Sequence, residues 1–245
     1  MKILVVGDTH IQEKNLEELN TIFPEILKQD ADMLVHLGDF FEKSNPSPLE
    51  LDFGTEWIKK FKEKYNKVVI IDSQSHTRIT KKLSAITYLR HFDVTIKDTY
   101  TYEDEEYKAF FGHFFTDKST PYSTECVKLS SLKGFDHIVL GHLHSLKILK
   151  GTIKRPKALH LGSAIYCRFD EVNVNKKFVA IIDTKEKALE LVALNTPIPM
   201  VKAYSFEELE KVPCKTKVCL ELTVSDFISQ LPKIKEYQNK FYSLK

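Results

Sequence analysis

Long apolar runs are absent from this sequence, and cysteine is scarce. No run approaches the roughly 20 consecutive apolar residues that a membrane helix needs. The first ten residues, MKILVVGDTH, contain no small-residue cleavage site and are typical of a buried strand rather than a signal peptide. The four cysteines, at positions 126, 167, 214 and 219, lack metal-type spacing and indicate free thiols in a reducing compartment. The sequence therefore predicts a cytoplasmic protein without membrane contact.

A large excess of charge of one sign is also absent. The chain carries 36 basic and 34 acidic residues, for a net charge of +2. This balance excludes a domain that is strongly basic throughout, as many nucleic-acid-binding domains are, but it leaves a local basic patch open. Only four of the basic residues are arginine. Lysine supplies the remainder, and it suits diffuse attraction of phosphate better than bidentate recognition.

Short apolar runs alternate with helical patterns along the first half of the chain. The helical patterns span residues 15–29 and 51–65. The runs have the length and composition of strands buried on both faces, and they lie at 3–6, 33–37, 68–71, 107–111, 137–140, 158–161, 178–182 and 189–194. The alternation predicts an α/β fold with parallel pairing. After about residue 155, consecutive strands predict a second, more antiparallel sheet.

Pro197 and Pro199 divide the chain into a main domain, 1–196, and a C-terminal segment, 197–245. Patterns in this segment predict a helix at 206–211, a strand at 217–224 and a helix from Ser225 onwards. A segment of this size is too small for an independent core. It is either an appended cap or docking element, or the last layer of the main domain.

Aspartate and histidine residues follow five successive predicted strands. Ligands of open α/β sheets bind outside the carboxyl ends of the strands, so we expect these side chains to converge at one sheet edge. A single Asp or His in such a place is more often a turn or capping residue, but coincidence at five strand ends favours a common site. Its candidate members are Asp8, His10, Asp39, His76, His113, His142 and His144. The histidines at 36, 91, 137 and 160 lie within apolar runs or after a helical pattern and are interpreted as structural.

These residue types indicate a metal site. Carboxylates and imidazoles without thiolates suit divalent ions such as Mn, Fe or Zn. The two carboxylate oxygens of Asp39 could bridge two such ions. Two ions about 3.5–4 Å apart can clamp a phosphate and activate a water, and the transition state of a phosphate ester spreads negative charge over several oxygens. The sequence thus predicts a phosphoesterase.

The motif order D-x-H, G-D, x-x-H, G-H, G-H-x-H across residues 3–183 resembles the calcineurin-like metallophosphoesterase family. The stretches GDTHI, GDFFEKSNPSP and HLGSAIYCRFDE are most similar to its SbcD-like branch, the nuclease subunits of DNA double-strand-break repair. The resemblance implies a four-layer α/β/β/α sandwich of two mixed sheets with a small C-terminal α+β appendage. It also implies a DNA exonuclease or endonuclease that uses metal-activated water and two divalent ions, Mn first and Fe, Zn or Mg as alternatives.

The resemblance also assigns roles to single residues. One metal would be held by Asp8, His10, Asp39 and His144, and the other by Asp39, His113 and His142. His76 would act as the general acid at the scissile phosphate.

One position departs from the family pattern, because Ser75 stands where the family has a metal-binding asparagine. A hydroxyl is a shorter and poorer ligand, so we expect weaker occupancy of the second metal position. Gln74 or a water are alternative donors. Thr77 replaces an acidic residue that would orient a ligand.

Basic residues after two of the motifs are candidates for substrate binding, chiefly Arg78, Lys147 and Arg168. They could neutralise a DNA backbone, or they could belong to a solvated surface, and Arg168 could simply pair with Asp170 or Glu171. The branch implies DNA and an SbcC-type ATPase subunit as partners, and a homodimer is left open. The chain stops at Lys245, before the fuller cap and the ATPase-binding helices of that branch, which predicts a minimal or stand-alone version.

Two other functions stay open at this point. A small-molecule or protein phosphoesterase could use the same fold. A degenerate member that binds DNA or a partner without hydrolysis is compatible with Ser75.

Overall fold

The computed structural model describes residues 1–73, 78–80, 83–119, 126–168, 171–172, 176–195, 197–214, 216–238, 240–241 and 243–244. The strands are β1 (Lys2–Val6), β2 (Met33–His36), β3 (Lys67–Ile71), β4 (Thr95–Lys97), β5 (Thr99–Glu103), β6 (Lys108–Gly112), β7 (His137–Leu140), β8 (Lys147–Thr152), β9 (Arg155–His160), β10 (Lys177–Asp183), β11 (Ala188–Leu194), β12 (Met200–Ala203), β13 (Lys217–Leu220) and β14 (Ser243–Leu244). The α-helices are α1 (Leu16–Leu27), α2 (Pro48–Lys64), α3 (Phe206–Glu210), α4 (Val224–Ser229) and α5 (Leu231–Gln238).

The first sheet has the strand order β11-β10-β1-β2-β3-β4. Strands β1 to β4 pair in parallel, with Val5 opposite Val35 and Val35 opposite Val69, while β10 and β11 pair antiparallel at one side. β1, β2 and β3 are apolar along almost their whole length because both of their faces are covered.

The second sheet has the order β5-β6-β7-β9-β8. Its central strands β6, β7 and β9 are parallel, and its outer strands β5 and β8 are antiparallel to their neighbours. The two sheets pack face to face through one buried apolar cluster, which includes Val5, Val35, Phe111, Val139 and Leu159. This packing places the central parallel strands of both sheets in one core.

Helices α1 and α2 cover the outer face of the first sheet. Their apolar contact centres on Phe23, whose ring lies 5.1 Å from Trp57 and 5.5 Å from Phe61 between centroids. α2 begins sharply because Ser47 and Glu50 form a capping box. The outer face of the second sheet is covered, within the described residues, by a 3-10 helix at Leu129–Ser131 and neighbouring apolar side chains. The predicted layered α/β fold of two mixed sheets is confirmed, with a thin fourth layer.

The C-terminal segment forms a small parallel sheet, β12-β13-β14, with its own apolar cluster. The predicted strand at 217–224 is shorter than expected, because Thr223 accepts a hydrogen bond from the Asp226 amide and caps α4 instead. Lys217 connects the segment to the main domain, since its Nζ donates to Glu18 at 2.6 Å and to the Tyr166 carbonyl at 2.7 Å. The boundary at residue 196 stays a prediction. None of the helices in the described part of the chain is long and apolar enough to span a bilayer.

Candidate metal centre

The predicted ligands lie at the carboxyl ends of strands from both sheets. Asp8 follows β1 and Asp39 follows β2 in the first sheet, whereas His113 follows β6 and His142 follows β7 in the second. The expectation of a single sheet edge is therefore wrong. The chain passes to the second sheet between β4 and β5, and the two sheets then bring their strand ends together face to face.

The backbone at these strand ends adopts conformations that are unusual for residues with side chains. His10, Asp39 and His142 have positive φ values of 48°, 44° and 78°. Such conformations cost on the order of 1–3 kcal/mol each and occur mainly at functional sites. Their presence at three predicted ligands indicates that this end of the molecule is shaped for binding rather than for stability.

Two glycines permit close approach of the ligands. Gly38 has a φ of 118°, and a Cβ there would lie 2.5 Å from His113 Nδ1. A Cβ at Gly141 would lie 2.7 Å from Asp8 Oδ1 and 2.8 Å from His113 Nδ1. Any larger residue would therefore push the side chains of the second sheet away from those of the first.

The buried donors form two sets that share one carboxylate. The first set contains Asp8, His10, Asp39 and His144, and the second contains Asp39, His113 and His142, with the ligand atoms of each set within 4.8 Å of one another. In the first, the Nε2 atoms of His10 and His144 are 3.0 Å apart. In the second, His113 Nε2 lies 3.3 Å from Asp39 Oδ2 and 3.2 Å from His142 Nδ1. These are the groupings that the family resemblance implies.

Groups behind the imidazoles fix which nitrogen faces the centre. His113 Nδ1 donates to the Leu37 carbonyl at 3.0 Å, and His10 Nδ1 lies 2.7 Å from Glu42 Oε2. His144 Nδ1 lies 3.8 Å from Glu171 Oε2. In each case Nε2 is left for a cation, an arrangement typical of metal-binding histidines. The sequence analysis missed Glu42 as a site residue and considered Glu171 only as a partner of Arg168. Their positions within the branch-like stretches GDFFE and RFDE were the available signals.

Glu171 belongs to a buried network that supports His144. Lys177 on β10 donates to Glu171, to the Ser163 hydroxyl at 2.9 Å and to the His144 carbonyl at 3.0 Å. Burial opposes ionisation of Glu171, but the nearby His144 ring and the charge of Lys177 prevail and lower its pKa to about 2. The carboxylate is therefore ionised and available to hold His144.

The pKa values of the ligands reflect crowded charge. Burial raises the pKa of Asp8, whereas contacts with His113 outweigh burial and lower that of Asp39. Burial is likewise outweighed at His10, where Glu42 raises the pKa, and at His113, where Asp8 and Asp39 do. Burial lowers the pKa of His142 to about 4. Carboxylates and imidazoles packed this closely in a buried site fit divalent cations, whose charge replaces the protons.

Cys167 also lies beside the centre. Its sulfur and one nitrogen each of His10 and His144 are within 4.8 Å of one another. Burial raises the pKa of this thiol well above its ordinary value. The sequence analysis described a donor set without thiolates, because nothing in the spacing of Cys167 connects it with the histidine motifs.

The remaining predicted site residues either lie outside the described residues or contact protein groups that do not belong to the two donor sets. Ser75 and His76, with Gln74 and Thr77, lie outside the described residues. Arg78 pairs with Asp98 at 2.6 Å and lies 3.8 Å from Asp72, so its charge is engaged by carboxylates. Lys147 donates to the carbonyl of Ser119. Arg168 is exposed, its backbone amide donates to Glu171 at 2.7 Å, and its charge contributes to the lowered pKa of His142.

The histidines interpreted as structural have partners of their own. His36 contacts the Thr9 hydroxyl at 3.1 Å, and His137 contacts the Tyr107 hydroxyl at 2.6 Å. His160 contacts Ser119 at 2.6 Å, and its Nδ1 donates to the Gly141 carbonyl at 2.8 Å. These contacts agree with the structural interpretation.

Comparison with known proteins supports a relationship with phosphoesterases. Residues 1–72, which include Asp8, His10 and Asp39, match the family model described as calcineurin-like phosphoesterase. No curated protein sequence matches the chain significantly.

Several solved structures are similar at low identity. A Vps29 variant from Entamoeba histolytica is 12% identical over 80% of this chain and 100% of its own, with a TM-score of 0.48. Vps29 from Chaetomium thermophilum is 13% identical over 80% and 100%, with a TM-score of 0.45. The Pseudomonas putida nuclease MPE is 20% identical over 64% and 73%, with a TM-score of 0.35. Likeness at this level carries no functional conclusion.

Proposed function

We propose that this chain is a metal-dependent DNA phosphodiesterase of the SbcD-like type. The observation that carries the proposal is the pair of buried donor sets that share Asp39. Two divalent cations, when bound, polarise a phosphate, lower the pKa of a water and stabilise charge on the attacking and leaving oxygens. The first set would hold one cation and the second set the other, and we propose Mn²⁺ for both.

The chain's own groups position the donors of both sets. Asp8 belongs to the first set, and its Oδ2 also accepts the backbone amide of His142 at 3.1 Å, so it connects the two sets. Glu42 and the Leu37 carbonyl orient His10 and His113 from behind. The family resemblance assigns protonation of the leaving oxygen to His76, and that role stays a proposal.

A lysine-lined cavity favours a polyanionic substrate. It measures about 640 Å³ on the outer side of the second sheet, and one of its walls contains Asp117 and Lys118 from the loop that follows His113. Its basic residues are Lys118, Lys133, Lys150, Lys157 and Lys187. Lys187 lies 3.8 Å from Glu106, and no other carboxylate of the described residues pairs with these lysines. Lysines without carboxylate partners can hold a nucleic-acid backbone by charge neutralisation.

The carboxylates in the same cavity do not cancel this charge by ion pairing. Asp117 accepts the backbone amide of Leu129 at 2.7 Å, and Asp136 accepts that of Lys108 at 2.9 Å. Lys157 lies toward the amino end of β9, away from the metal centre, so the lysines are available to a strand of phosphates that extends over the outer face of the second sheet. The SbcC-type ATPase partner follows from the family resemblance, and the cytoplasmic location follows from the cysteine usage. Both stay proposals.

The test is a Mn²⁺-titrated cleavage assay on single- and double-stranded DNA, with a chromogenic phosphodiester in parallel. His76→Ala should abolish DNA cleavage without loss of bound metal, because His76 is not assigned as a ligand. His91→Ala, at an exposed histidine in the 3-10 helix Thr87–Phe92, is the matched control and should retain activity.

The double change Lys150→Ala and Lys157→Ala should weaken DNA cleavage and spare the chromogenic diester. Turnover of the small diester with no cleavage of DNA would contradict the proposed substrate.

Ser75 favours a second candidate function, namely binding of DNA or a partner without hydrolysis, because it removes a metal ligand of the family pattern. The number of metal ions per chain discriminates between the two. Two bound ions together with measurable diester hydrolysis would exclude the binding-only function. A single ion and no hydrolysis under saturating Mn²⁺ would support it.

A further inference from the structure

A thiol stands beside the first donor set. The ligand atoms of Cys167, His10 and His144 lie within 4.8 Å of one another, and the two Nε2 atoms are 3.0 Å apart. In a tetrahedral zinc site, bond lengths of about 2.3 Å to sulfur and 2.0–2.1 Å to nitrogen place these atoms roughly 3.5 Å apart. The sulfur therefore needs to move by little more than about 1 Å at most, which side-chain rotation supplies.

The main chain of Cys167 is held firmly while its sulfur is held weakly. Its backbone amide donates to Glu171 Oε2 at 2.7 Å, and the same oxygen faces His144 Nδ1. The thiol contacts the Ile165 carbonyl at 3.5 Å and also interacts with the Ser163 hydroxyl, and thiols are weak donors. The backbone is thus anchored next to a metal ligand, and the sulfur can turn without breaking a strong interaction.

Two buried lysines, each already paired with a carboxylate, lower the cost of a thiolate at this place. Lys177 donates to the His144 carbonyl and to Glu171. Lys217 donates to the carbonyl of Tyr166, the residue that precedes Cys167. A thiolate at this place would therefore lie among cations as well as beside Glu171.

We propose that Cys167, His10 and His144 form a site for a thiophilic divalent cation such as Zn²⁺, which competes with Mn²⁺ for the first metal position. Binding forms a metal–sulfur bond, and the thiol proton leaves to water. The inference rests on the metal centre of the proposed function, not on its substrate. Thiolate selects zinc, whereas the carboxylates of Asp8 and Asp39 suit manganese. His10 and His144 serve both sets, so the nature of the cation decides whether the Asp39 bridge is used.

Cobalt absorption tests the proposal directly on the full chain. Wild-type protein titrated with Co²⁺ should develop a near-ultraviolet band from thiolate-to-cobalt charge transfer. Cys167→Ser should lack the band, while the matched control Cys219→Ser, at a half-buried cysteine on β13, should keep it. Competition between Co²⁺ and Zn²⁺ should show that Cys167→Ser binds Zn²⁺ about tenfold or more weakly than the wild type does. The affinity for Mn²⁺ should be unchanged.

The outcomes separate this inference from the proposed function. Cobalt binding without the band, or a band that persists in Cys167→Ser, would overturn the thiolate ligand and leave a two-metal centre standing. Absence of any bound metal in the wild type would overturn both. If Cys167→Ser does not fold, a second measurement on the wild type replaces the cobalt assay. In it, Cys167 is alkylated by iodoacetamide and the extent is read by peptide mass analysis. Zn²⁺ but not Mn²⁺ should slow that alkylation, and equal rates would overturn the inference.

Discussion

The first candidate metal position has more donors and more supporting carboxylates than the second. The first has four buried donors, and the carboxylates of Glu42 and Glu171 stand behind its histidines. The second has three described donors, one of which, His142, is only half-buried, and a backbone carbonyl stands behind His113. Anionic groups behind a ligand raise its basicity and fix its orientation. The two positions should therefore bind cations with unequal affinity.

Asp39→Asn should have the largest effect, because it removes the one carboxylate common to both positions. An amide keeps the shape but loses the charge and one donor oxygen. We expect cleavage to fall by more than about 100-fold and the metal content to drop from two ions to one or none. Metal analysis after gel filtration, with kcat from the DNA assay, measures both. A variant that keeps two ions and full activity would show that the sets do not depend on a shared bridge.

Glu171→Gln should weaken the first position selectively. The change leaves Lys177 buried without its ionised partner, at a cost of about 3–5 kcal/mol in unfolding free energy. It also loosens His144, so first-position affinity should fall about 10–100-fold while the second is unchanged. Denaturant unfolding and metal titration measure the two effects.

A second variant separates stability from metal binding at Glu171. Combining Glu171→Gln with Lys177→Met removes the stranded charge and should restore much of the stability. It should not restore metal affinity, because a neutral amide rather than a carboxylate then faces His144 Nδ1. Recovery of both together would mean that Glu171 acts on the metal position only through folding.

Acidification should weaken the first position more steeply than the second. Cations bind deprotonated ligands, so a group with a raised pKa releases a proton on binding over a wider range of pH. Below that pKa, affinity falls by up to about tenfold per pH unit for each proton. The first position has two such groups, His10 and Asp8, whereas the second has His113 beside a His142 whose pKa is lowered to about 4. Calorimetry in buffers of different ionisation enthalpy counts the released protons. Equal proton release at the two positions would contradict the comparison.

Local patterns predicted which donors gather at the candidate centre because each follows a buried strand directly, and strand ends can be read from short apolar runs. They missed β5, whose residues alternate between half-buried and exposed, and they assigned all ligands to one sheet, because strand pairing is not encoded locally. Cys167 and Glu171 were not linked with His144 for the same reason. Their contacts depend on a loop after β9 that folds back onto the strand ends. Candidate donors are thus predictable from motifs, whereas the groups behind them require the tertiary structure.

Ser75→Asn should have the smallest effect and act in the opposite direction. The sequence places Ser75 where an asparagine carbonyl would complete the second set, which has three described donors. Restoring a neutral oxygen donor should lower the Mn²⁺ concentration needed for half-maximal cleavage by several-fold, because the gain corresponds to the free energy of about one polar interaction. The affinity of the first position should be unchanged. Such a shift would narrow the difference between the two positions. An unchanged Mn²⁺ requirement would mean that the second cation is limited by His142, the donor most open to solvent, rather than by the serine.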